Sequence, residues 1–376
     1  MNFETQYIND RQMELNMGPQ HPSTHGVLRF IVTTDGELIE KVVPDVGYLH
    51  RSIEKIGEKV SYHGFMPYTD RVDYVSAMTA NHAYARSIEK MANIEVPKRG
   101  HYLRMLADEL CRLASHLIAI GTYPMDIGAV TPFVHALRER EKINDLLEEL
   151  CGARLTYNYM RIGGVSFDIP QQFVSKTKVF LQEFAIFLDE LDRMLSENTI
   201  FIQRVANLAA ITTKDAIAYG LVGPNLRATG LHYDLRKDQP YACYNELDFE
   251  VPVGKGEQGI LGDCYDRFIV RVEEMKQSAK MIRQIIDNLP EGPIIGKAPK
   301  TIREKDTSSY ASVESSRGEL GFFVVANGTA NAHRVKIRSG SFAAISMLEK
   351  IAQGVFIADL VAIIASLDLV APEIDR

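Results

Sequence analysis

Between Leu28 and Thr33 apolar and polar positions alternate, with Leu28, Phe30 and Val32 on one side and Arg29, Ile31 and Thr33 on the other. A period of two marks a half-buried strand. Asp35-Gly36 is a hairpin signal, and Leu38 to Val43 reads as the returning strand. From about Arg71 the period lengthens to that of a helix. Arg71 to Met91 predicts one helix, closed before Pro97. His101 to Ile120 predicts a second, with Leu103, Leu106, Leu110, Leu113 and Leu117 three or four apart and Gly121 as its stop. Thr131-Pro132 opens a third, which runs through Arg138-Glu139-Arg140-Glu141-Lys142 to Cys151-Gly152. Gln171 to Ser196, a short Lys214 to Gly220 stretch and a long Tyr265 to Leu289 follow. Leu221 to Gly262 is loop-rich, with many glycines and Pro224, Pro240 and Pro252. Glu319 to Ile337 reads as a second β unit with a turn at Asn327-Gly328, and Phe342 to Ser366 as a last helix.

These elements predict an α+β chain. It is mainly an elongated α-helical bundle with a small N-terminal antiparallel β unit and a C-terminal β element. The divisions expected are a β-rich unit with a histidine loop over 1–66 and a helical bundle over 67–220. A loop-rich segment with a long helix covers 221–318, and the closing β element and helix cover 319–376. With 376 residues the chain exceeds what one simple core usually holds, so two or three subdomains are expected.

Composition narrows the function. Hydrophobic residues at 46% and charged residues at 24% are ordinary for a soluble globular protein. A net charge of −7 argues against nucleic acid as the main partner, because phosphate binding needs a basic footprint. No leading segment has the pattern of a signal peptide. The most apolar stretch, Val355 to Ala371, contains Asp359 and Asp368 and is too short and too charged to span a bilayer. Membrane association is therefore expected to go through partners. Cys111, Cys151, Cys243 and Cys264 form no CxxC pair and match no iron–sulfur or zinc spacing. Four reduced thiols in a cytoplasmic chain are the expectation.

Candidate chemistry starts with Gly18-Pro19-Gln20-His21-Pro22-Ser23-Thr24-His25-Gly26. Pro22 forbids a helix, and the prolines hold their predecessors extended. His21 and His25 stand four apart, a metal-pair spacing only on a helix, so that signal is weak. The other readings are two hydrogen-bonded loop histidines, or one ligand-binding histidine that changes charge near neutral pH, and so stiff a loop suits a binding task better than a packing task. Asp70-Arg71-Val72-Asp73-Tyr74 reads as a helix start, with Asp70 as N-cap and Tyr74 in the core. A functional role requires the Tyr74 hydroxyl to reach a cavity. Asp126 lies among apolar neighbours between two helices, where it caps the next helix or orients a histidine. Arg51, Arg71 and His116 are polar groups in apolar stretches, read as structural salt bridges or caps. No GxGxxG, GxxxxGK[ST] or GxSxG context occurs, so nothing argues for direct NAD, ATP or flavin binding.

The chain resembles, over nearly its whole length, the quinone-site D subunit (the 49-kDa type) of NADH:quinone oxidoreductase, respiratory complex I. The resemblance is carried by Gly18 to Arg29, Gly47-Tyr48-Leu49-His50-Arg51, Pro67 to Tyr74 and Val96-Pro97-Lys98-Arg99. Asp126 to Phe133, Arg161-Ile162-Gly163-Gly164-Val165 and the closing Glu373-Ile374-Asp375-Arg376 add to it. That family is similar in fold to the large subunits of [NiFe] hydrogenases, which hold their metals with two CxxC pairs. Here Asp73 and Ser76 stand where one pair would lie, and the other is absent near Asp368, so soft metal ligation is lost. The resemblance implies that the vacated cavity became a quinone-headgroup site.

Carried over residue by residue, the resemblance implies that His25 and Tyr74 hydrogen-bond the two quinone oxygens and that Asp126 pairs with His25. Arg51 and His116 would face the terminal [4Fe–4S] cluster of a partner subunit, with Arg71 shaping the same interface. The chain itself would bind no cofactor. It would work within a proton-translocating complex, peripheral on the cytoplasmic side of the cell inner membrane. Its partners would be the cluster-bearing B subunit, the C and I subunits and the membrane-arm H and A subunits. Two departures stand out. Ser52 replaces a glycine usual after His-Arg. Thr156 replaces a histidine that couples the cluster potential to pH, which points to a lower-potential cluster and to menaquinone rather than ubiquinone. Leu369 and Pro372 also depart from the usual ending. Three other readings stay open from sequence: a ferredoxin-fed complex with the same quinone site, a [NiFe]-hydrogenase-type metalloenzyme, which the missing cysteine pairs oppose, and a scaffold without reactive groups.

Overall fold

The computed structural model describes residues 4–7, 12–19 and 26–376. Strands β1 (Glu4–Tyr7), β2 (Gln12–Met17), β3 (Arg29–Asp35) and β4 (Leu38–Asp45) form one antiparallel sheet in that order. Phe30 and Val32 are buried while Arg29 and Thr33 are half-buried, as the alternation predicts. The β3–β4 hairpin closes over Gly36-Glu37, with Gly36 at φ +58°. Between β2 and β3 the chain leaves and re-enters the sheet through a narrow neck. A Cβ on Gly18 would lie 2.1 Å from the Leu28 carbonyl oxygen. His21 and His25, inside this loop, lie outside the described residues.

Short helices α1 (Ile53–Gly57) and α2 (Tyr62–Thr69) lead to α3 (Ala77–Ala92). The helix predicted from Arg71 thus begins six residues late. Asp73 explains the delay. One of its carboxylate oxygens accepts from the Val75 and Ser76 amides at 3.2 Å each, so a side chain satisfies donors that a helix would have used. Helix α4 (Lys98–Asp126) runs past Gly121 to Asp126, and α5 (Val130–Cys151) packs back along it. Gly121 is a packing contact rather than a stop: a Cβ there would lie 2.9 Å from that of Ala136. Asp126 therefore ends α4 and does not cap α5.

The ribbon β5 (Met160–Arg161) and β6 (Gly164–Val165) precedes α6 (Phe173–Leu191), which relaxes into one π-helical turn over Asp192–Ser196. Helices α7 (Thr199–Val205), α8 (Thr213–Ala218), α9 (Gly223–Arg227) and α10 (Leu235–Asp238) are short and lie in or before the loop-rich stretch. The long α11 (Cys264–Asp287) returns beside α4. Strands β7 (Thr307–Ser315), β8 (Gly318–Ala326) and β9 (Arg334–Arg338) form an antiparallel sheet against α3. The last predicted helix is two, α12 (Gly340–Ile351) and α13 (Ile357–Leu367), followed by α14 (Ala371–Asp375). The break has a cause. Val355 O, Gly354 N and Ile357 N all hydrogen-bond residues 37–39 of the N-terminal hairpin, so the segment between the helices serves as an extra rung on that sheet.

Leu103, Leu106, Leu110, Leu113 and Leu117 of α4 are all buried, the stripe its spacing predicts. The opposite face of α4 is buried too, and it carries Arg104, Asp108, Glu109, Arg112 and His116. Buried charge is tolerated only when paired. Arg104 meets Glu89, Glu109 meets Arg112 and Arg236, His82 meets Asp108, and His116 meets Glu274. No helix among the described residues is long and apolar enough to cross a membrane.

Candidate functional site

Tyr74 sits in the turn between α2 and α3, 40% exposed, and no hydrogen bond joins its hydroxyl to a described residue. Three arginines surround this turn. Arg51 donates from Nη2 to the Arg71 carbonyl at 2.6 Å. Arg71 donates from Nη1 to the Pro67 carbonyl at 2.5 Å and reaches Asp70 Oδ2 at 3.5 Å. Arg51 and the buried Arg317 both lie within electrostatic reach of Tyr74. Burial, then the neighbouring Arg71 charge, lowers the Arg51 pKa. The segment 47–52 is pinned by the chain's last residues. Asp375 accepts from the Gly47 and Leu49 amides at 2.9 and 2.7 Å, and His50 Nδ1 lies 2.8 Å from the Asp375 carbonyl. Ser52 has φ +55°, a left-handed conformation in which glycine is the cheap residue. The serine thus keeps the backbone shape that a glycine would adopt there.

Behind Tyr74 lies a buried ionic cluster. Asp73 Oδ2 accepts from Arg317 Nη1 at 2.9 Å, and Arg317 Nη2 reaches Asp368 Oδ1 at 3.3 Å. Arg271 approaches Asp368 at 3.8 Å. Burial, helped by Glu373 and Asp368, pushes the Asp73 carboxyl up to about 6 against the pull of Arg317. The Asp70 carboxyl is likewise pushed up to about 6, mainly by burial, although it accepts from the Asn158 amide at 3.3 Å. Asp73, Ser76 and Asp368 thus converge, which sequence separation hides. They do not suit a metal, because a guanidinium occupies the space between the carboxylates and repels a cation. Among the described residues no group of three or more His, Cys, Asp or Glu side chains could hold a metal ion.

The sequence-predicted residues divide. Tyr74, Arg51 and Arg71 share one region. Asp126 is half-buried at the end of α4. His25 lies outside the described residues, but the loop's end, Gly26, sits against Ala371 of α14. His116 is fully buried, its Nε2 2.9 Å from Glu274 Oε2, and burial lowers its pKa. It belongs to an interior network in which Glu274 also binds Arg227. Sequence reading missed Arg317. The only signal was a short polar turn, Ser315-Ser316-Arg317-Gly318, ahead of the apolar stretch Leu320 to Ala326.

Residues 126–309 and 302–376 match the family described as the 49 Kd subunit of respiratory-chain NADH dehydrogenase. Among curated relatives, the second D subunit of NADH-quinone oxidoreductase in Sorangium cellulosum is 59% identical over 98% of this chain and 95% of its own length. The first D subunit of Anaeromyxobacter sp. (strain K) is 57% identical over 98% of each chain. The D subunit of Bacillus anthracis is 45% identical over 98% of this chain and all of its own.

Proposed function

The chain belongs to the family of 49-kDa, D-type subunits of respiratory NADH:quinone oxidoreductase, and from that membership we propose that the region around Tyr74 forms the site where quinone is reduced. One observation carries the reading. A half-exposed phenol with no hydrogen-bond partner among the described residues stands on a rigid turn, beside cations and away from the packed core. A packing tyrosine has no need of that arrangement.

Reducing a quinone by two electrons creates a dianion or demands two protons. Tyr74 supplies one hydrogen bond and proton, and His25, oriented by Asp126, the other. Arg51 faces the terminal [4Fe–4S] cluster of the B subunit and Arg71 shapes the same interface, whereas the buried His116, paired with Glu274, supports them from inside the fold only as part of the packed network. The C and I subunits and the membrane-arm H and A subunits complete the surroundings, and the chain is held peripherally at the inner membrane on the cytoplasmic side. The proton deficit at His25 and Asp126 biases the proton-pumping subunits electrostatically, so His25→Ala should impair both quinone reduction and pumping. The names of the relatives favour NADH over ferredoxin as the donor. Thr156 favours menaquinone, and a ubiquinone pool in the source membranes would refute that part.

The test is Tyr74→Phe in membranes with NADH as donor, assayed with quinone and with ferricyanide, which takes electrons upstream. Loss of quinone reduction with ferricyanide activity intact is expected. Unchanged quinone reduction would return Tyr74 to a packing role.

A further inference from the structure

Hairpin tips normally face water, yet the tip of the β7–β8 hairpin is buried. Its two residues, Ser316 and Arg317, are 0% and 4% exposed. Several contacts drive it inward. Arg112 donates to the Glu314 and Ser315 carbonyls at 2.6 and 2.8 Å. Ser316 Oγ donates to Ser76 Oγ at 3.0 Å. Gly318, at φ +100°, lies so close to Gly223 that a Cβ would sit 2.4 Å from its amide nitrogen. The tip delivers one guanidinium between Asp73 and Asp368, immediately behind the turn that carries Tyr74.

The groups around that turn are Asp70, Arg71, Asp73 and Arg51 from its own side, Arg317 from the hairpin, Asp368, Glu373 and Asp375 from the C-terminal segment, and Arg271 from α11. Arginine keeps its charge at every relevant pH.

We propose that Arg317 is a positioning residue for Tyr74: clamped between Asp73 and Asp368, it fixes the turn from which the Tyr74 hydroxyl reaches the quinone. This rests on the quinone-site reading above. In the step, the quinone takes an electron pair from the electron-transfer partner. The Tyr74 O–H bond breaks, its proton forms an O–H bond on a quinone oxygen, and the phenolate regains a proton from water.

The experiment is NADH-driven reduction of a short-chain quinone in membranes, with ferricyanide activity as the measure of assembly. Arg317→Gln should lower kcat about tenfold with little change in KM for the quinone, and in a Tyr74→Phe background the same substitution should cost nothing further. Arg317→Lys, which keeps a cation beside Asp73, should recover part of the rate. An equal loss from Arg317→Gln with and without the Tyr74 hydroxyl would reduce Arg317 to a structural residue and overturn the proposal. Should Arg317→Gln fail to assemble, Arg317→Lys with and without Tyr74→Phe decides alone. Tyr74→Phe separates the two readings: if it keeps full quinone activity, the quinone site itself is misplaced. If it lowers activity while the Arg317 loss simply adds to it, only the role of Arg317 falls.

Discussion

Arg317 and Asp73, 244 positions apart in the chain, meet at 2.9 Å inside the protein. The contact joins the C-terminal β element to the first helical turn region, and it sets the conformation of the residues between α2 and α3. A single guanidinium thereby links the two ends of the chain at the candidate site.

Delivery of that guanidinium depends on Gly318. Its positive φ and its approach to Gly223 leave no room for a side chain. Gly318→Ala should therefore push the hairpin tip outward and cost several kcal/mol, about what strain plus a broken buried ion pair implies. Assembly and quinone reduction should fall together. Normal assembly and activity in this variant would mean that the tip can shift without consequence.

Asp70 gives a pH prediction. Its folded pKa of about 6 exceeds the ordinary 3.8, because burial outweighs its partners. Between those values the folded chain holds a proton that the unfolded chain releases. Stability then falls as pH rises through this window, at up to about 1.4 kcal/mol per unit. Asp70→Asn removes the titration. Thermal unfolding of the full chain should show the variant gaining on the parent between pH 4 and 6, with the gap constant above. A gap independent of pH throughout would mean that Asp70 titrates normally.

At Ser52 the backbone is left-handed. Glycine takes this conformation without cost, whereas a β-branched residue pays about 1–2 kcal/mol. Ser52→Gly should leave thermal stability equal or up to about 1 kcal/mol higher, and Ser52→Val should lower it by about 1–2 kcal/mol. Equal tolerance of both substitutions would contradict the observed geometry.

Two ion pairs separate buried from surface electrostatics. Glu274 binds Arg227 at 2.5 Å and His116 at 2.9 Å, all fully buried. Asp248 and Lys280 pair at 2.8 Å with most of the carboxylate in water. Glu274→Ala strands a buried cation and should cost about 3–5 kcal/mol. Asp248→Ala should cost under about 1 kcal/mol, and less at high salt. Denaturant unfolding of the full chain measures both, and similar costs would refute the contrast.

What the sequence revealed follows from where the information sits. The β3–β4 hairpin was legible because Asp35-Gly36 and the alternation through Val32 are local signals. The α4 leucine stripe was legible for the same reason. The turn at 70–76 was not. Asp70 and Asp73 look like a capping pair, and only Arg317, far along the chain, and the amides of Val75 and Ser76 show otherwise. Strand β7, Thr307 to Ser315, hides its nature because three serines and a glutamate are buried in it beside Ala311 and Val313, with the Glu314 carboxylate paired to Arg227 and the Glu314 and Ser315 carbonyls held by Arg112. The family motifs pointed to Tyr74 and Arg51, which the fold brings to one turn, while Arg317 needed the fold to bring it beside them.

Thr156 carries the last prediction. It has φ +51° and lies two residues before Asn158, whose amide hydrogen-bonds Asp70. Its side chain cannot titrate near neutral pH. In the proposed assembly the neighbouring cluster therefore lacks an imidazole to take up a proton on reduction. Its midpoint potential should be flat above about pH 7, with any slope confined to the acidic range where Asp70 titrates. Histidine is among the residues that tolerate a left-handed backbone, so Thr156→His can be accommodated. That variant should acquire a slope approaching ~59 mV per pH unit around its own pKa, as a one-electron, one-proton couple requires. Redox titration of the reduced-cluster spectrum in membranes, at several pH values, reads this directly. A sloping potential in the parent at pH 7 to 8, or a flat one in the variant, would show that the loop at 156 does not face the cluster.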